Sequence, residues 1–415
     1  MFLSRFRWNR FVTVIVQIHI SGRDRPGAIA DLAAILAQHA VPVLDLSQRS
    51  ACGVLSLAWL LERSEASDRD PALAALRDRV LDLGLTLQVY PIPADEYRTW
   101  VSEHDTPRHI LTILGRQIDA RHLAETSKLA AAFGLHVERI QRLSAPRLPQ
   151  SDLAAGPVSF ALRLQGPVPD AHVLQRAVLR LGNEIGLDLS FQQDDVFRRQ
   201  RRLICLDMDS TLIQTEVINE LAAEAGVRDQ VTALTESAMR GEIDFQESFR
   251  RRIRLLKGME ESVLQRVAAR LPVTEGAARL IATLKAHGYK VAILSGGFTY
   301  FARYLQRHLG AIDYIYANDL DFHDGRLTGE IVGEIVDGAR KAELVQDIAA
   351  REGLRLEQVI AVGDGANDLP MLSLAGLGVA FQAKPVVREQ ARHTLDHVGL
   401  DGVLYLLGLS DQALT

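Results

Sequence analysis

The stretch Leu203-Ile-Cys-Leu-Asp-Met-Asp-Ser-Thr-Leu212 sets the fold of the larger part of this chain. Its four apolar residues, 203–206, are typical of a buried parallel strand. Asp207 and Asp209 follow at the carboxyl end of that strand, where open α/β sheets carry their chemistry. Two carboxylates this close repel each other unless a cation neutralises them. The stretch therefore predicts a hard divalent ion, most simply Mg²⁺, although Asp-x-Asp alone is more often a solvated turn.

Three further strand-like runs, at 290–294, 359–362 and 378–381, alternate with helical patterns. This alternation predicts a doubly wound parallel α/β sheet, whose right-handed crossovers bring the strand ends to one edge. Phosphoryl transfer needs cations, hydroxyls and N–H donors around the phosphate oxygens. Residues of these kinds lie near two of these runs. Ser295-Gly296-Gly297 follows the run 290–294, and Asp364-Gly365-Ala366-Asn367-Asp368 follows the run 359–362. Lys341 lies just upstream of the run 359–362.

Each of these motifs alone is usually a turn or a solvated charge. Their joint occurrence in this order predicts one phosphoryl-transfer site. In that site Mg²⁺ would be held by Asp207, Asp364 and the backbone carbonyl of Asp209. Lys341 would supply a fixed positive charge, and Ser295 a hydroxyl with nearby N–H groups.

The motifs together resemble those of the haloacid dehalogenase superfamily, and especially its members that act on phosphoserine. The resemblance rests on Asp207-Met-Asp-Ser-Thr-Leu, Leu294-Ser-Gly-Gly-Phe and Val362-Gly-Asp-Gly-Ala-Asn-Asp, and it covers about residues 203–405. It implies that Asp207 is the nucleophile, which forms an aspartyl-phosphate. It also implies that Asp209 protonates the leaving oxygen and then activates water.

The insert between the first two strands, residues 216–271, shows helical patterns only. The resemblance identifies it as a helical cap over the active site. It implies that Glu216 pairs with a substrate ammonium and Arg252 with a substrate carboxylate, for which an Arg fork is well suited. The residues alone do not choose among the three consecutive arginines 250–252. The apolar wall of the substrate site would be formed by Met239 and Phe245.

These features predict a Mg²⁺-dependent hydrolase that releases L-serine from O-phospho-L-serine, the last step of serine biosynthesis. Two alternatives stay open. The first is a phosphatase for another phosphomonoester, such as a phosphorylated protein side chain, and a screen of phosphomonoesters would distinguish it. The second is an amino-acid-binding regulator with an inert catalytic domain, which would be expected to lack a motif residue.

Two βαββαβ patterns, the ferredoxin-like layout, precede the catalytic part. We predict domains at 11–92, 107–195 and 201–415. The first pattern contains Gly22-Arg-Asp24-Arg-Pro26-Gly27 and resembles the ACT domains, which are amino-acid-sensing modules of metabolic enzymes. The second has Gly115-Arg116 but lacks the Pro-Gly pair. The resemblance implies an effector such as serine near Gly22, Asp24 and Gly115, and a homodimer. A plain strand-to-helix turn is the alternative.

The bulk composition fits a globular, multidomain protein. The chain has 415 residues, 47% of them hydrophobic and 24% charged, with a net charge of −5. This balance offers no argument for nucleic acid or membrane partners. No apolar run reaches about 18 residues, and no cleavage site follows the basic start of the chain, so a cytoplasmic location is expected.

Three local features complete the predictions. Cys52 and Cys205 lie in apolar runs and are expected to be buried thiols without a disulfide. The basic segment 192–202 is expected to be a solvated linker. A hairpin around Asp324-Gly325 is expected to form a β flap near the site entrance.

Overall fold

The computed structural model describes residues 14–63, 70–103, 106–146, 156–240 and 242–413. The chain divides into two compact units, one ending at Thr106 and the other beginning at Pro107. None of the helices within the described ranges combines the length and the apolar character needed to cross a bilayer.

The first unit is a ferredoxin-like sandwich. Its elements are β1 (Val14–Arg23), α1 (Ala28–Gln38), β2 (Val43–Ala51), β3 (Val54–Arg63), α2 (Pro71–Asp82), β4 (Leu85–Ile92) and α3 (Ala94–Glu103). The antiparallel sheet has the order β2-β3-β1-β4. The β1 side chains of Val16, Ile18 and Ile20 join the buried core with Leu32 of α1 and Leu76 of α2. One face of the sheet is therefore covered by helices.

The stretch between the repeats contains helix α3, whose first turn follows Pro93, a residue that suits a helix entry. One prediction for this unit needs correction. Cys52 is exposed, whereas Cys205 is buried. The reason is that Cys52 and Gly53 form the two-residue turn between β2 and β3, with φ angles of 51° and 74°.

The second unit begins with another ferredoxin-like layout. Its elements are β5 (Arg108–Gly115), α4 (Ala120–Ala132), β6 (His136–Arg142), β7 (Val158–Gln165), α5 (Ala171–Ile185) and β8 (Asp188–Gln193), with the sheet order β6-β7-β5-β8. Most of the segment between β6 and β7 lies outside the described residues. Seven of the eight β5 residues are buried. Such continuous burial requires cover on both faces of the sheet.

The catalytic part covers the second face of this sheet. Leu114 and Leu143 belong to the same hydrophobic cluster as Leu404 and Leu406 near the chain end. The buried Asp188 carboxylate accepts the N–H groups of Asp396 and His397, at 2.7 and 2.9 Å. The second repeat is therefore built into the catalytic part by apolar and polar contacts.

The catalytic part is a doubly wound α/β fold, as predicted. Its strands are β9 (Leu203–Leu206), β10 (Lys290–Phe298), β11 (Tyr314–His323), β12 (Arg326–Val332), β13 (Val359–Gly363), β14 (Leu377–Phe381) and β15 (His393–Leu395), in the order β12-β11-β10-β9-β13-β14-β15. β9 lies at the centre, between β10 and β13, and is parallel to both. Each face of the sheet has its own apolar core.

Helices cover both faces of this sheet and form the cap. They are α6 (Val196–Arg199), α7 (Val217–Glu224), α8 (Arg228–Met239), α9 (Phe245–Arg254), α10 (Ser262–Ala268), α11 (Ala277–Ala286), α12 (Thr299–Leu309), α13 (Gly338–Arg351), α14 (Leu369–Leu374), α15 (Pro385–Gln390) and α16 (Gly402–Leu406). Helices α7 to α10 make up the insert between β9 and β10, which is helical as predicted. An antiparallel bridge between Ile213 and Val273 joins the segments that enter and leave it.

Two further predictions change. The hairpin around Asp324-Gly325 is more than a flap, because β11 pairs in parallel with β10 and so extends the central sheet. The segment 192–202 is not a solvated linker. Arg198 and Arg201 are only 7% and 5% exposed. A run of charges indicates solvation only where nothing packs against it, and here the segment joins two packed domains.

Candidate active site

The carboxyl end of β9 places two carboxylates in one cavity. Asp207 is 4% exposed, and its N–H donates to the Val362 carbonyl of the neighbouring strand at 2.9 Å. The chain then turns sharply at Ser210, whose φ of 56° lies in the left-handed region. Because of this turn Asp209 also lines the cavity, and its carboxylate accepts the Val217 N–H at 3.3 Å.

Lys341, in the first turn of α13, is a cation that contacts the carboxylate of Asp207. Its side chain is fully buried. Its Nζ lies 2.9 Å from Asp207 Oδ1 and 2.7 Å from Asp368 Oδ1. Asp368 also accepts the Gly365 N–H at 2.9 Å, which fixes the loop after β13. Asp368 had no predicted role, although it stands in the Gly-Asp-Gly-Ala-Asn-Asp run.

Three buried carboxylates are close enough to share a metal ion. Oxygen atoms of Asp207, Asp364 and Asp368 lie within 4.8 Å of one another. This all-oxygen donor set is what hard cations such as Mg²⁺ prefer. The predicted set had Asp207, Asp364 and the carbonyl of Asp209 instead. Because Lys341 engages both Asp207 and Asp368, Asp364 is the freest of the three carboxylates.

The protonation states fit a cation site. Burial and the Asp368 carboxylate raise the pKa of Asp207 well above its usual value. Burial and Asp368 likewise raise the pKa of Asp364, to about 7. Burial and Glu216 raise the pKa of Asp209. Burial by itself would lower the pKa of Lys341, but Asp207 and Asp368 outweigh it and raise that pKa. Carboxylates of this kind hold protons unless a cation replaces them.

The end of β10 leaves the register of the sheet between Leu294 and Phe298, and this Gly296 loop closes one side of the cavity. Ser295 is fully buried, and its hydroxyl accepts the Gly297 N–H at 2.9 Å. Gly297 must be glycine, because a Cβ there would lie 2.6 Å from Asp209 Oδ2. Asn318 of β11 holds this loop, since its amide donates to the Gly296 carbonyl at 2.9 Å. Asn318 was not predicted, and its contact is visible only in the folded chain.

The cap supplies the opposite wall. Glu216, Phe245 and Arg252 line the same cavity as Asp207 and Asp209. Arg252 is 9% exposed, and its Nε has no hydrogen-bond partner within the described ranges. Burial lowers its pKa, while Glu216 and Asp209 oppose that change. Met239 ends α8, and its side chain lies outside the described part of the structure.

The cavity encloses about 290 Å³, which suits a small metabolite. It brings together the predicted residues Asp207, Asp209, Glu216, Phe245, Arg252, Gly296, Gly297, Asp364 and Asn367. It adds Lys384, whose Nζ lies 3.9 Å from Glu216 Oε1 and 3.8 Å from Asp364 Oδ2. Lys384 follows β14, the fourth predicted strand. Its position after that strand could therefore have identified it as a site residue.

The predicted effector residues have structural explanations of their own. A Cβ at Gly22 would lie 2.7 Å from Leu85 Cδ2 of the neighbouring strand. A Cβ at Gly115 would collide with Leu187, the equivalent residue of the second repeat. The Asp24 carboxylate accepts the Ser50 hydroxyl at 2.5 Å. Close strand packing therefore accounts for both glycines without a ligand.

Comparisons with protein families match both parts of the chain. Residues 204–373 match the family model of haloacid dehalogenase-like hydrolases, and residues 14–90 match that of the ACT domain. The predicted fold class, with its catalytic α/β sheet and preceding ACT domains, is confirmed.

Individual relatives match nearly the whole chain. A phosphoserine phosphatase of Streptomyces coelicolor is 39% identical over 393 residues, which cover 95% of this chain and 92% of the relative. A phosphoserine phosphatase of Mycobacterium tuberculosis is 38% identical over 402 residues, or 96% and 94%. The crystal structure of a HAD family hydrolase from Salmonella enterica serovar Typhi superposes with a TM-score of 0.62 at 32% identity, covering 72% of this chain and 98% of that chain.

Proposed function

The chain belongs to the phosphoserine phosphatases, within the haloacid dehalogenase-like hydrolases, and on that premise we propose that it hydrolyses O-phospho-L-serine with Mg²⁺ as the last step of serine biosynthesis. One observation supports phosphoserine as the substrate. Glu216 and Arg252, of opposite charge, line the same cavity as the buried Asp207. A phosphorylated amino acid offers an ammonium and a carboxylate to match that pair.

The reaction proceeds in two displacements at phosphorus, with Asp207 as the nucleophile of the first and the leaving group of the second. An oxygen of the Asp207 carboxylate bonds to phosphorus while the bond from phosphorus to the seryl oxygen breaks. Asp209 gives its proton to that seryl oxygen, and serine leaves. Asp209 then takes a proton from water, whose oxygen bonds to phosphorus while the aspartyl bond breaks. The raised pKa of Asp209 supports its role as the proton donor.

The other polar residues bind and orient. Asp207, Asp364 and the carbonyl of Asp209 would hold Mg²⁺, with Asp368 nearby. When bound, the ion neutralises phosphoryl charge and keeps Asp207 ionised. Lys341 Nζ contacts the Asp207 carboxylate at 2.9 Å and holds it in place. The remaining phosphate contacts come from the loop residues Ser295, Gly296, Gly297 and Asn367.

A paired substitution on α9 tests the substrate. Arg252→Gln removes a guanidinium that would bind the substrate carboxylate, so kcat/KM for phosphoserine should fall about 10- to 100-fold. p-Nitrophenyl phosphate has no such carboxylate, and its kcat/KM should change less than about threefold. Arg250→Gln is the matched control, because Arg250 is an exposed residue of the same helix. Equal losses for both substrates would favour another phosphomonoester.

We further propose that the ACT domains bind an amino acid such as serine, that the enzyme is a homodimer, and that it is cytoplasmic. The match of residues 14–90 to the ACT model supports amino-acid binding. Gly22 is a poor test position, because any side chain there meets Leu85. Serine inhibition curves of wild type and Asp24→Ala provide a better test. Identical curves would place serine at the active site only.

A further inference from the structure

A second charged cavity lies in the unit that begins at Pro107, at the junction of its ferredoxin-like repeat and its catalytic part. It encloses about 340 Å³. The sheet of the repeat forms one wall, and the segment after α16 forms the other. We call it the arginine cavity, because four arginines and one carboxylate line it: Arg139, Arg163, Arg198, Arg199 and Asp194. The net charge of the whole chain is −5, so this local excess of positive charge is not a general property of the protein.

Arg198 is the central residue of this cavity. It is 93% buried (7% exposed), yet its Nε has no hydrogen-bond partner among the described residues. One terminal nitrogen of its guanidinium donates to the Leu406 carbonyl at 3.5 Å. Burial lowers its pKa, and Asp194 only partly opposes that effect. A buried charge without a counter-ion is costly, which makes an anionic ligand the natural completion of the site.

The packing around Arg198 holds the guanidinium in place. Gly408 lies directly against it, and a Cβ there would be 2.9 Å from both terminal nitrogens. The Arg198 N–H donates at 2.9 Å to Asp195, the residue that caps α6. The backbone on either side therefore fixes Arg198 in the cavity wall.

The sheet wall contains a second unfavourable arrangement of positive charge. Arg139 of β6 and Arg163 of β7 are direct partners in the antiparallel ladder. Like charges in this position destabilise a sheet. Asp194 offsets part of the charge, since it lies 3.6 Å from Arg163 and 3.1 Å from Arg199. Arg139 and Arg198 form no ion pair with any residue of the described ranges.

From this geometry we infer that the arginine cavity is a binding site for a phosphate-type oxyanion, separate from the active site. Arg198, Arg163 and Arg139 would donate to its oxygens, as guanidinium groups do to phosphate. Tyr289, which precedes β10, and Arg198, which precedes β9, place the cavity at the amino end of the central strands. The catalytic carboxylates lie at the opposite, carboxyl end. The inference does not depend on the proposed function.

The test is phosphate binding to the full chain. Binding of labelled inorganic phosphate is measured in EDTA, at an ionic strength held constant with chloride. Wild type should bind one equivalent. Arg139→Gln and Arg163→Gln should each weaken binding about tenfold or more, because each removes a charged donor. Arg180→Gln is the control, since Arg180 is exposed on α5 and does not line the cavity. Arg139 is itself exposed, so its loss should not impair folding.

Competition identifies the form of the ligand. If phosphoserine displaces the labelled phosphate, the cavity accepts a phosphomonoester. If only phosphate and sulfate displace it, the ligand is the free oxyanion. Both results support the site. The inference is overturned if wild type binds no phosphate in EDTA, if chloride alone displaces it, or if binding survives both Arg139→Gln and Arg163→Gln.

Discussion

The two ends of the central sheet carry opposite charge excesses. At the carboxyl end, the described carboxylates Asp207, Asp364 and Asp368 surround a single buried lysine, Lys341. At the amino end, four arginines surround one carboxylate, Asp194. Both clusters are costly as they stand, because like charges are held together at sites partly or wholly removed from water. The comparison suggests that each cluster is completed by an ion of the opposite sign.

The two clusters also differ in how readily they can be predicted from the sequence. The acidic one is built from residues at strand ends, in short motifs that can be recognised locally. The basic one is assembled from β6, β7, α6 and the segment after α16. The arginines at 198–202 were expected to be solvated. Arg198 and Arg199 line the cavity because the folded domains pack around them.

The largest expected effect tests the acidic cluster. Asp207→Asn removes the proposed nucleophile, so phosphoserine turnover should fall about 10,000-fold or more. Steady-state kinetics measure the loss. Asp319→Asn is a suitable control, because Asp319 is an exposed carboxylate of β11. Near-normal activity of Asp207→Asn would exclude the aspartyl-phosphate route, while phosphate binding in the arginine cavity should be unchanged.

The next effect is the pH dependence of metal binding. The pKa of Asp364 is raised to about 7, so below pH 7 the metal-free protein carries a proton that Mg²⁺ must displace. The apparent Mg²⁺ affinity should therefore rise about tenfold per pH unit up to about pH 7 and then level off. Calorimetric titrations between pH 5.5 and 8 measure this. An affinity independent of pH would contradict the assignment.

The raised pKa of Asp364 also determines whether the metal-free protein gains or loses stability as the pH rises. A carboxyl whose pKa is raised by folding stabilises the fold while protonated, and this stability is lost as the pH rises through about 7. Metal-free protein should therefore lose stability between pH 5.5 and 8, and Mg²⁺ should restore it. Sulfate binding to the arginine cavity should show no such change, because guanidinium groups stay charged over this range.

The smallest effect concerns the single carboxylate of the arginine cavity. Asp194→Asn removes the charge that pairs with Arg163 and Arg199, so inorganic phosphate should bind about three- to tenfold more tightly. Glu184→Gln, an exposed substitution on α5 of the same repeat, is the control. Binding is measured in EDTA, as for the arginine variants. Weaker binding in Asp194→Asn would mean that the carboxylate orients the ligand rather than opposing it.

The two ferredoxin-like repeats show where sequence reasoning succeeds and where it stops. Both layouts could be predicted, because alternating apolar residues and turn residues act over a few positions. Their different surroundings could not. β1 alternates buried and exposed residues in its second half, whereas β5 is buried almost throughout, because the catalytic part covers its second face. The exposure of Cys52 was also mispredicted, because it depends on the conformation of the turn between β2 and β3.

Local sequence was enough to predict the doubly wound sheet, the helical insert and nine of the residues that line the active-site cavity. Strand ends in a parallel sheet converge by topology alone, so motifs after successive strands had to meet. Only the tertiary structure assigned Asp368 to Lys341, placed Asn318 behind the Gly296 loop and assembled the arginine cavity. These contacts join residues far apart in the chain. No short-range pattern encodes which side chains will be neighbours once the water between them has been removed.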